Sequence, residues 1–258
     1  MLNYRNTLIV FSLALAGVAM TDVFRPISIW PYIGIVLALI SVLTWGSIRI
    51  QADFYLRSFC SGDRNIRAVS LTFDDGPDGL VTPMVLDILK ENKVKAAFFV
   101  IGSKAEKHPE ILERIDREGH IIGGHSYSHH FFFDLFSSRR MKKEMKRTAE
   151  VIFNITGKNI RLFRPPYGVT NPSVARVVKE LKLTSVGWSL RSKDTVIQDD
   201  GELLKRIQTR LKPGDVLLMH DCKAWTVNRL KALIRYLRDK GYTVTEIDQL
   251  LKLEPYVR

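Results

Sequence analysis

Cysteine is close to absent: Cys60 and Cys222 are the only two in 258 residues. Two scattered thiols cannot build a disulfide framework or a Cys-rich zinc site. They are read as free thiols and leave the redox compartment open. Acidic residues are in deficit, with 27 Asp and Glu against 39 Lys and Arg, a formal net charge of +12. That surplus favours polyanions or anionic membrane surfaces. No zinc-finger, homeodomain or RNA-recognition pattern accompanies it, which argues against nucleic acid. Internal repeats and low-complexity tracts are also missing. The most local absence is of charge: residues 29–48 carry none, and residues 7–24 only Asp22.

A run of about 20 uncharged residues, at about 1.5 Å rise each, crosses a hydrocarbon core of about 30 Å. Trp30, Tyr32 and Trp45 lie near the ends of 29–48, where aromatic rings prefer the headgroup layer. Residues 7–24 make a second, slightly short span, and the two are expected to form a hairpin turning at Arg25-Pro26. Residues 1–48 are thus read as two transmembrane helices, 49–66 as a juxtamembrane linker and 67–258 as a folded domain. Arg49, Arg57, Arg64 and Arg67 after the second span favour the cytoplasmic side. The membrane expected is the cytoplasmic membrane of a bacterium.

From Arg67 onward strand-like and helix-like segments alternate. Strands are expected at 68–73, 96–101, 120–123, 160–163, 184–188, 216–219 and 242–244. Helices are expected at 83–90, 109–118, 137–155, 174–181, 202–211 and 227–240. This alternation argues for parallel strands wrapped by helices, with functional residues at the carboxyl ends of the strands. Asp74, Asp75, His125, Arg164, Trp188 and His220 all fall at or just after the carboxyl ends of expected strands.

Two adjacent carboxylates, Asp74 and Asp75, are costly to desolvate together unless a positive charge sits there. A divalent cation would meet that need, bound by one and leaving the other as a base; a polar Asp-Gly-Pro turn is the plainer alternative. His125 and His129, four residues apart, would share one face of a helical turn and grip one metal. No Glu follows His125, so this is not the metalloprotease helix. Two histidines and one carboxylate form an open catalytic site that lowers the pKa of a bound water and polarises a carbonyl. His220 is placed to donate a proton, or is a satisfied core histidine. Asp221 is read as structural. The Arg164-Pro165-Pro166-Tyr167-Gly168 loop is stiffened by its prolines, and such a loop can aim N–H groups at an oxyanion.

These motifs resemble carbohydrate esterase family 4, the NodB-type polysaccharide deacetylases. Thr72-Phe73-Asp74-Asp75-Gly76-Pro77, His125-Ser126-Tyr127-Ser128-His129, Arg164-Pro165-Pro166-Tyr167 and Leu217-Leu218-Met219-His220 carry the resemblance, in the family's order. It covers roughly residues 67–250 and implies an α/β fold, a distorted (β/α) barrel of fewer than eight strands. It implies Asp74 as catalytic base and His220 as catalytic acid. Asp75, His125 and His129 become the ligands of one divalent metal, zinc foremost, with cobalt, manganese or nickel as alternatives. Arg164 would orient Asp74, and the Tyr167 N–H would serve the oxyanion. Pro165, Trp188, Asp194 and Leu218 are expected around the substrate. The fourth motif departs from the family: after Trp188, Arg191 stands where an acid is common, and Thr195 replaces a second Trp. Asp194 remains available to pair with His220. Arg191 suits an anionic or phosphate-bearing substrate, or else a structural ion pair.

The expected activity is metal-dependent hydrolysis of the N-acyl group, N-acetyl above all, of an amino sugar in a polysaccharide such as peptidoglycan. The alternative is a deacylase of a lipid-linked amino sugar at the membrane surface, favoured by the anchor and the basic run 139–147. A non-catalytic carbohydrate-binding membrane protein is the rival of a different class. The partners implied are a carbohydrate or glycolipid and the lipid bilayer, with no nucleic acid and no protein partner. The resemblance favours the exterior for the catalytic domain, against the flanking arginines.

Overall fold

The computed structural model describes residues 2–257. Two antiparallel helices, α1 (Tyr4–Phe24) and α2 (Trp30–Ile48), project from the domain. Both are long and apolar enough to cross a membrane, and only 6% of each apolar window is buried. Asp22 closes their turn, accepting hydrogen bonds from the Ile27 N–H and the Tyr32 hydroxyl.

The remaining chain forms a curled sheet of parallel strands: β1 (Ser58–Phe59), β2 (Ala68–Asp74), β3 (Ala97–Val100), β4 (Ile121–Gly124), β5 (Leu162–Phe163), β6 (Thr184–Val186), β7 (Leu190–Arg191), β8 (Val216–His220) and β9 (Thr243–Val244). Their order is β1-β6-β5-β4-β3-β2-β8-β7, with β9 beside β2. This is the expected distorted barrel, left open between β1 and β7. It counts nine strands among the described residues rather than fewer than eight; four of them have two residues each, and β1 and β7 form the two edges of the sheet. Two of these, β1 and β7, are too short to show a period of two in the sequence. β1 lies in the stretch expected as a linker.

β2 and β8 are buried along their whole length, as continuous apolar strands at the centre of a parallel sheet should be. Alternation divides the core. Val69, Leu71, Phe73 and Phe98 point outward to the helices, while Phe99, Leu162, Val186 and Leu218 fill the concave side.

The helices are α3 (Val81–Glu91), α4 (Gly102–Lys107), α5 (Pro109–Arg117), α6 (Ser138–Thr156), α7 (Pro172–Glu180), α8 (Asp200–Arg210), α9 (Thr226–Asp239) and α10 (Ile247–Leu251), and all but α4 and α10 follow the sequence periodicity. α3 begins two residues before Pro83. The Ser137 hydroxyl caps α6 by accepting from the Arg140 N–H, and Gly157, at φ 70°, ends it. α4 and α10 escape the sequence reading because each is barely a turn and a half long.

Register sets the site. Asp74 lies opposite both Phe99 and His220. The His125 N–H bonds the Val100 carbonyl, and the Arg164 N–H bonds the Gly124 carbonyl. The carboxyl ends of β2, β4, β5 and β8 therefore deliver their next residues to one point.

Candidate active site

Arg164 lies at the bottom of the site with no exposed surface. Its Nη1 donates to Asp74 Oδ1 at 2.7 Å and to Thr72 Oγ1 at 2.8 Å. Its Nε and Nη2 donate to the Val186 and Gly187 carbonyls at 3.1 and 2.8 Å. Every arm of the guanidinium is engaged, so Asp74 is fixed through one oxygen. Leaving either charge of such a buried pair alone costs about 3–5 kcal/mol.

Asp75, His125 and His129 bring their ligand atoms within 4.8 Å of one another. Asp75 Oδ1 is 3.6 Å from His125 Nε2 and 3.3 Å from His129 Nε2. That oxygen is buried with no hydrogen-bond partner among the described residues, a costly state unless a cation completes it. His125 Nδ1 donates to the Arg164 carbonyl at 2.7 Å, which leaves the Nε2 lone pair facing Asp75. Burial opposes ionisation of Asp75, but the surrounding His125, His129, His220 and Lys104 outweigh it and hold the carboxyl below its usual range. Burial and then His125 lower the pKa of His129, against the pull of Asp75. An ionised carboxylate and neutral imidazoles are what a divalent cation takes, so the three residues fit one.

The expected helical turn carrying both histidines is not there. Residues 125–130 form a loop in which Ser126 and His129 take positive φ of 60° and 46°. Glu144 of α6 braces it, accepting from the Tyr127 and Ser128 N–H groups and the Ser128 hydroxyl at 3.2, 2.8 and 2.8 Å. Sequence reasoning missed Glu144, which lies in a basic helix 15 residues after His129 and carries no motif.

His220 faces this cluster from β8. Its Nδ1 is 2.8 Å from Asp194 Oδ1, and its backbone N–H donates to Asp194 Oδ2 at 2.8 Å. The departure in the fourth motif thus leaves the aspartate–histidine contact in place. A cavity of about 260 Å³ connects Asp74, Asp75, His125, His129 and His220 with Tyr167, Trp188, Leu218, Arg191 and Thr195. Pro165 lies just below, its carbonyl accepting from the Gly168 N–H. Gly168 has φ 70°, and a Cβ there would lie 2.3 Å from the Trp188 ring, so only glycine lets this loop close over Trp188. Lys223, unremarked in the sequence, and Cys222, read there as a free thiol, also line the cavity. Burial pushes the Cys222 thiol up to about 12, which removes it as a nucleophile.

The pattern of the polysaccharide deacetylase family matches residues 61–186. The peptidoglycan-N-acetylmuramic acid deacetylase PdaA of Bacillus subtilis is 33% identical over 198 residues, 75% of this chain and 75% of that protein. The chain belongs to the polysaccharide deacetylase family. Another member, the peptidoglycan-N-acetylglucosamine deacetylase PgdA of Listeria monocytogenes, is 35% identical over 184 residues, 71% of this chain. The chain spans 39% of PgdA's length. The crystal structure of the Bc1960 peptidoglycan N-acetylglucosamine deacetylase superposes with a TM-score of 0.73 at 32% identity, covering 77% of this chain and 94% of that one. The family's fold is therefore the fold seen here, and carbohydrate esterase family 4 is the chain's place.

Proposed function

We propose that this polysaccharide deacetylase hydrolyses the N-acetyl group of an amino sugar in a cell-wall polysaccharide, with Asp74 as base and His220 as acid. The observation that carries the proposal is the placement of the buried Arg164–Asp74 pair and the Asp194–His220 pair on either side of Asp75, His125 and His129. A divalent cation held by those three, zinc foremost, supplies when bound an acidified water and a polarised acyl carbonyl. Asp74 takes the proton of the attacking water through Oδ2, the oxygen that Arg164 leaves free. Asp194 holds His220 Nδ1, so Nε2 carries the proton to the departing amine. The Tyr167 N–H serves the developing oxyanion, and Trp188 and Leu218 receive the acetyl methyl.

Asp74→Asn in the zinc-loaded full-length protein should lower acetate release from an N-acetylglucosamine oligomer by about 10²–10⁴-fold while zinc binding persists. Full activity in that variant sinks the assignment of Asp74 as the base. Chelation should abolish acetate release from the native protein, and added zinc should restore it.

A second reading keeps the chemistry and moves the substrate to a lipid-linked amino sugar. It rests on how α2 meets the site: the Ser47 carbonyl accepts from the Thr170 N–H at 3.0 Å, and Gln51 Nε2 donates to the Trp188 carbonyl at 2.8 Å. With α1 and α2 in the cytoplasmic membrane, the cavity rim stands at the bilayer surface. Acetate release from polymeric and lipid-linked substrates by the same preparation separates the two readings. A reporter fused to the C-terminus gives the side.

A further inference from the structure

β7 is the last strand of the sheet, and α8 runs beside it. Between them lies a second cavity of about 520 Å³, lined by Arg64, Arg191, Arg206, Arg210 and Lys212 with Asp215 as its one acid. Asp215 is 2% exposed and already engaged. It accepts from Arg64 Nη1 at 2.5 Å, from the Ser189 hydroxyl at 2.7 Å and from the Lys212 N–H at 2.7 Å. Arg191, Arg206, Arg210 and Lys212 have no ion-pair partner among the described residues. Arg206 Nε is buried without a hydrogen-bond partner among them, and its Nη2 reaches only the Arg191 carbonyl at 3.4 Å. Burial, then Arg210 and Arg191, lower the pKa of Arg206. Clustered guanidiniums, one of them with a buried Nε, repel one another unless an anion joins them.

Arg191 connects this groove to the catalytic cavity, since it lines both. Its register partner is Leu218, two residues before His220 on the neighbouring strand. Its guanidinium carbon lies 6.0 Å from the Trp188 ring centre. A glycan with its acetylated sugar at His220 would lay its next units along β7, over unneutralised arginines.

We propose that the groove between β7 and α8 binds an oxyanion, phosphate or carboxylate, carried by the substrate glycan beside the sugar being deacetylated. This rests on the deacetylase reading and adds a substrate class, acidic amino-sugar chains over neutral ones. Forked guanidiniums suit either oxyanion, bidentately. The aspartates of the catalytic cavity cannot supply such a site.

Two measurements on the full-length protein in detergent test it. The first is calorimetric titration with inorganic pyrophosphate. Saturable binding should survive His129→Ala, which disables the metal cluster. It should weaken at least about tenfold in the Arg206→Gln/Arg210→Gln double variant, the loss expected from removing charge-assisted bonds. No saturable binding, loss of binding in His129→Ala, or unchanged affinity in the double variant overturns the proposal. The second measurement compares kcat/KM for a phosphate-bearing, a carboxylate-bearing and a neutral N-acetylglucosamine oligomer. The acidic-to-neutral ratio should exceed one for at least one acid. It should fall about tenfold in the double variant through KM, with partial recovery in Arg206→Lys/Arg210→Lys. The acid preferred identifies the oxyanion. An acidic-to-neutral ratio the double variant leaves unchanged overturns the substrate role. If none of the three oligomers is hydrolysed, the polymer-substrate reading fails, and the titration still decides the groove.

Discussion

Asp194 is fully buried, and Ser192 donates to the same oxygen that holds His220 Nδ1. Burial alone would lower the pKa of His220. The hydrogen bond and charge of Asp194, then Asp74 and Asp75, outweigh it and raise the pKa above the usual histidine value. A raised pKa keeps the acid protonated to higher pH, and activity is lost as pH rises through it. The stability contributed by the pair has the same sign: present while His220 is protonated, given up above that pKa. Asp194→Asn should therefore move the basic limb of the kcat/KM profile to lower pH. It should also cost about 10²-fold at pH 8, and a profile superimposable on the native one would refute the pairing. The convergence of Asp74, Asp75, His125, His129, Arg164 and His220 was legible in the sequence because few residue types suit the acid–base and metal chemistry proposed for them. Thr72 was not: any small polar residue reads alike until the fold shows Arg164 donating to it. Asp221, read as structural, accepts from the Thr82 hydroxyl at 2.6 Å, and burial pushes its carboxyl up to about 7. A Cβ on Gly76 would lie 2.1 Å from it, which accounts for glycine after the paired aspartates.

At the scale of elements, the alternation of strand and helix was readable, since long amphipathic helices and continuous apolar strands announce themselves. The loop carrying the two histidines was not. Four-residue spacing suggests a helix, but the positive φ of Ser126 and His129 is set by tertiary partners. Chief among them is Glu144, at the second turn of α6. The Ser126 hydroxyl adds a bond from the His129 N–H at 3.1 Å. If Glu144 orients His129, then Glu144→Ala should weaken zinc affinity about 10–100-fold, the usual effect of losing a group that positions a ligand. A chromogenic chelator in competition measures this. Glu144→Gln, which can still accept one bond, should fall between the two. Native affinity in Glu144→Ala would show that the loop holds itself.

Across the whole molecule, the apolar N-terminal runs were legible, but where the hairpin meets the domain was not, because that depends on contacts between distant residues. The Tyr4 N–H bonds the Phe54 carbonyl, and the Tyr55 hydroxyl bonds the Leu43 carbonyl. Thr170 is held to Ser47, and the neighbouring Asn171 donates to the Asp134 carbonyl at 2.6 Å. This chain of bonds ties residues 131–135 to the end of α2. In that segment Phe133 is buried, while Phe131, Phe132 and Leu135 are 72%, 52% and 74% exposed. Phe131 also touches the Tyr167 ring at the cavity rim, with centroids 6.2 Å apart. Three large apolar side chains on one rim are unusual in water, and full burial of each would contribute about 1.5–3 kcal/mol. On the proposed membrane placement, the hairpin holds this rim against the interfacial layer, where such side chains are favoured. Phe132→Trp in the full-length protein, reconstituted in vesicles with lipid brominated near the headgroup, should show quenching beyond that of the native tryptophans. Phe131→Ser/Leu135→Ser should lower activity on a vesicle-embedded lipid-linked amino sugar more than on a soluble oligomer. No added quenching, together with equal losses on both substrates, would turn the cavity away from the bilayer and leave the cell-wall polymer as the substrate.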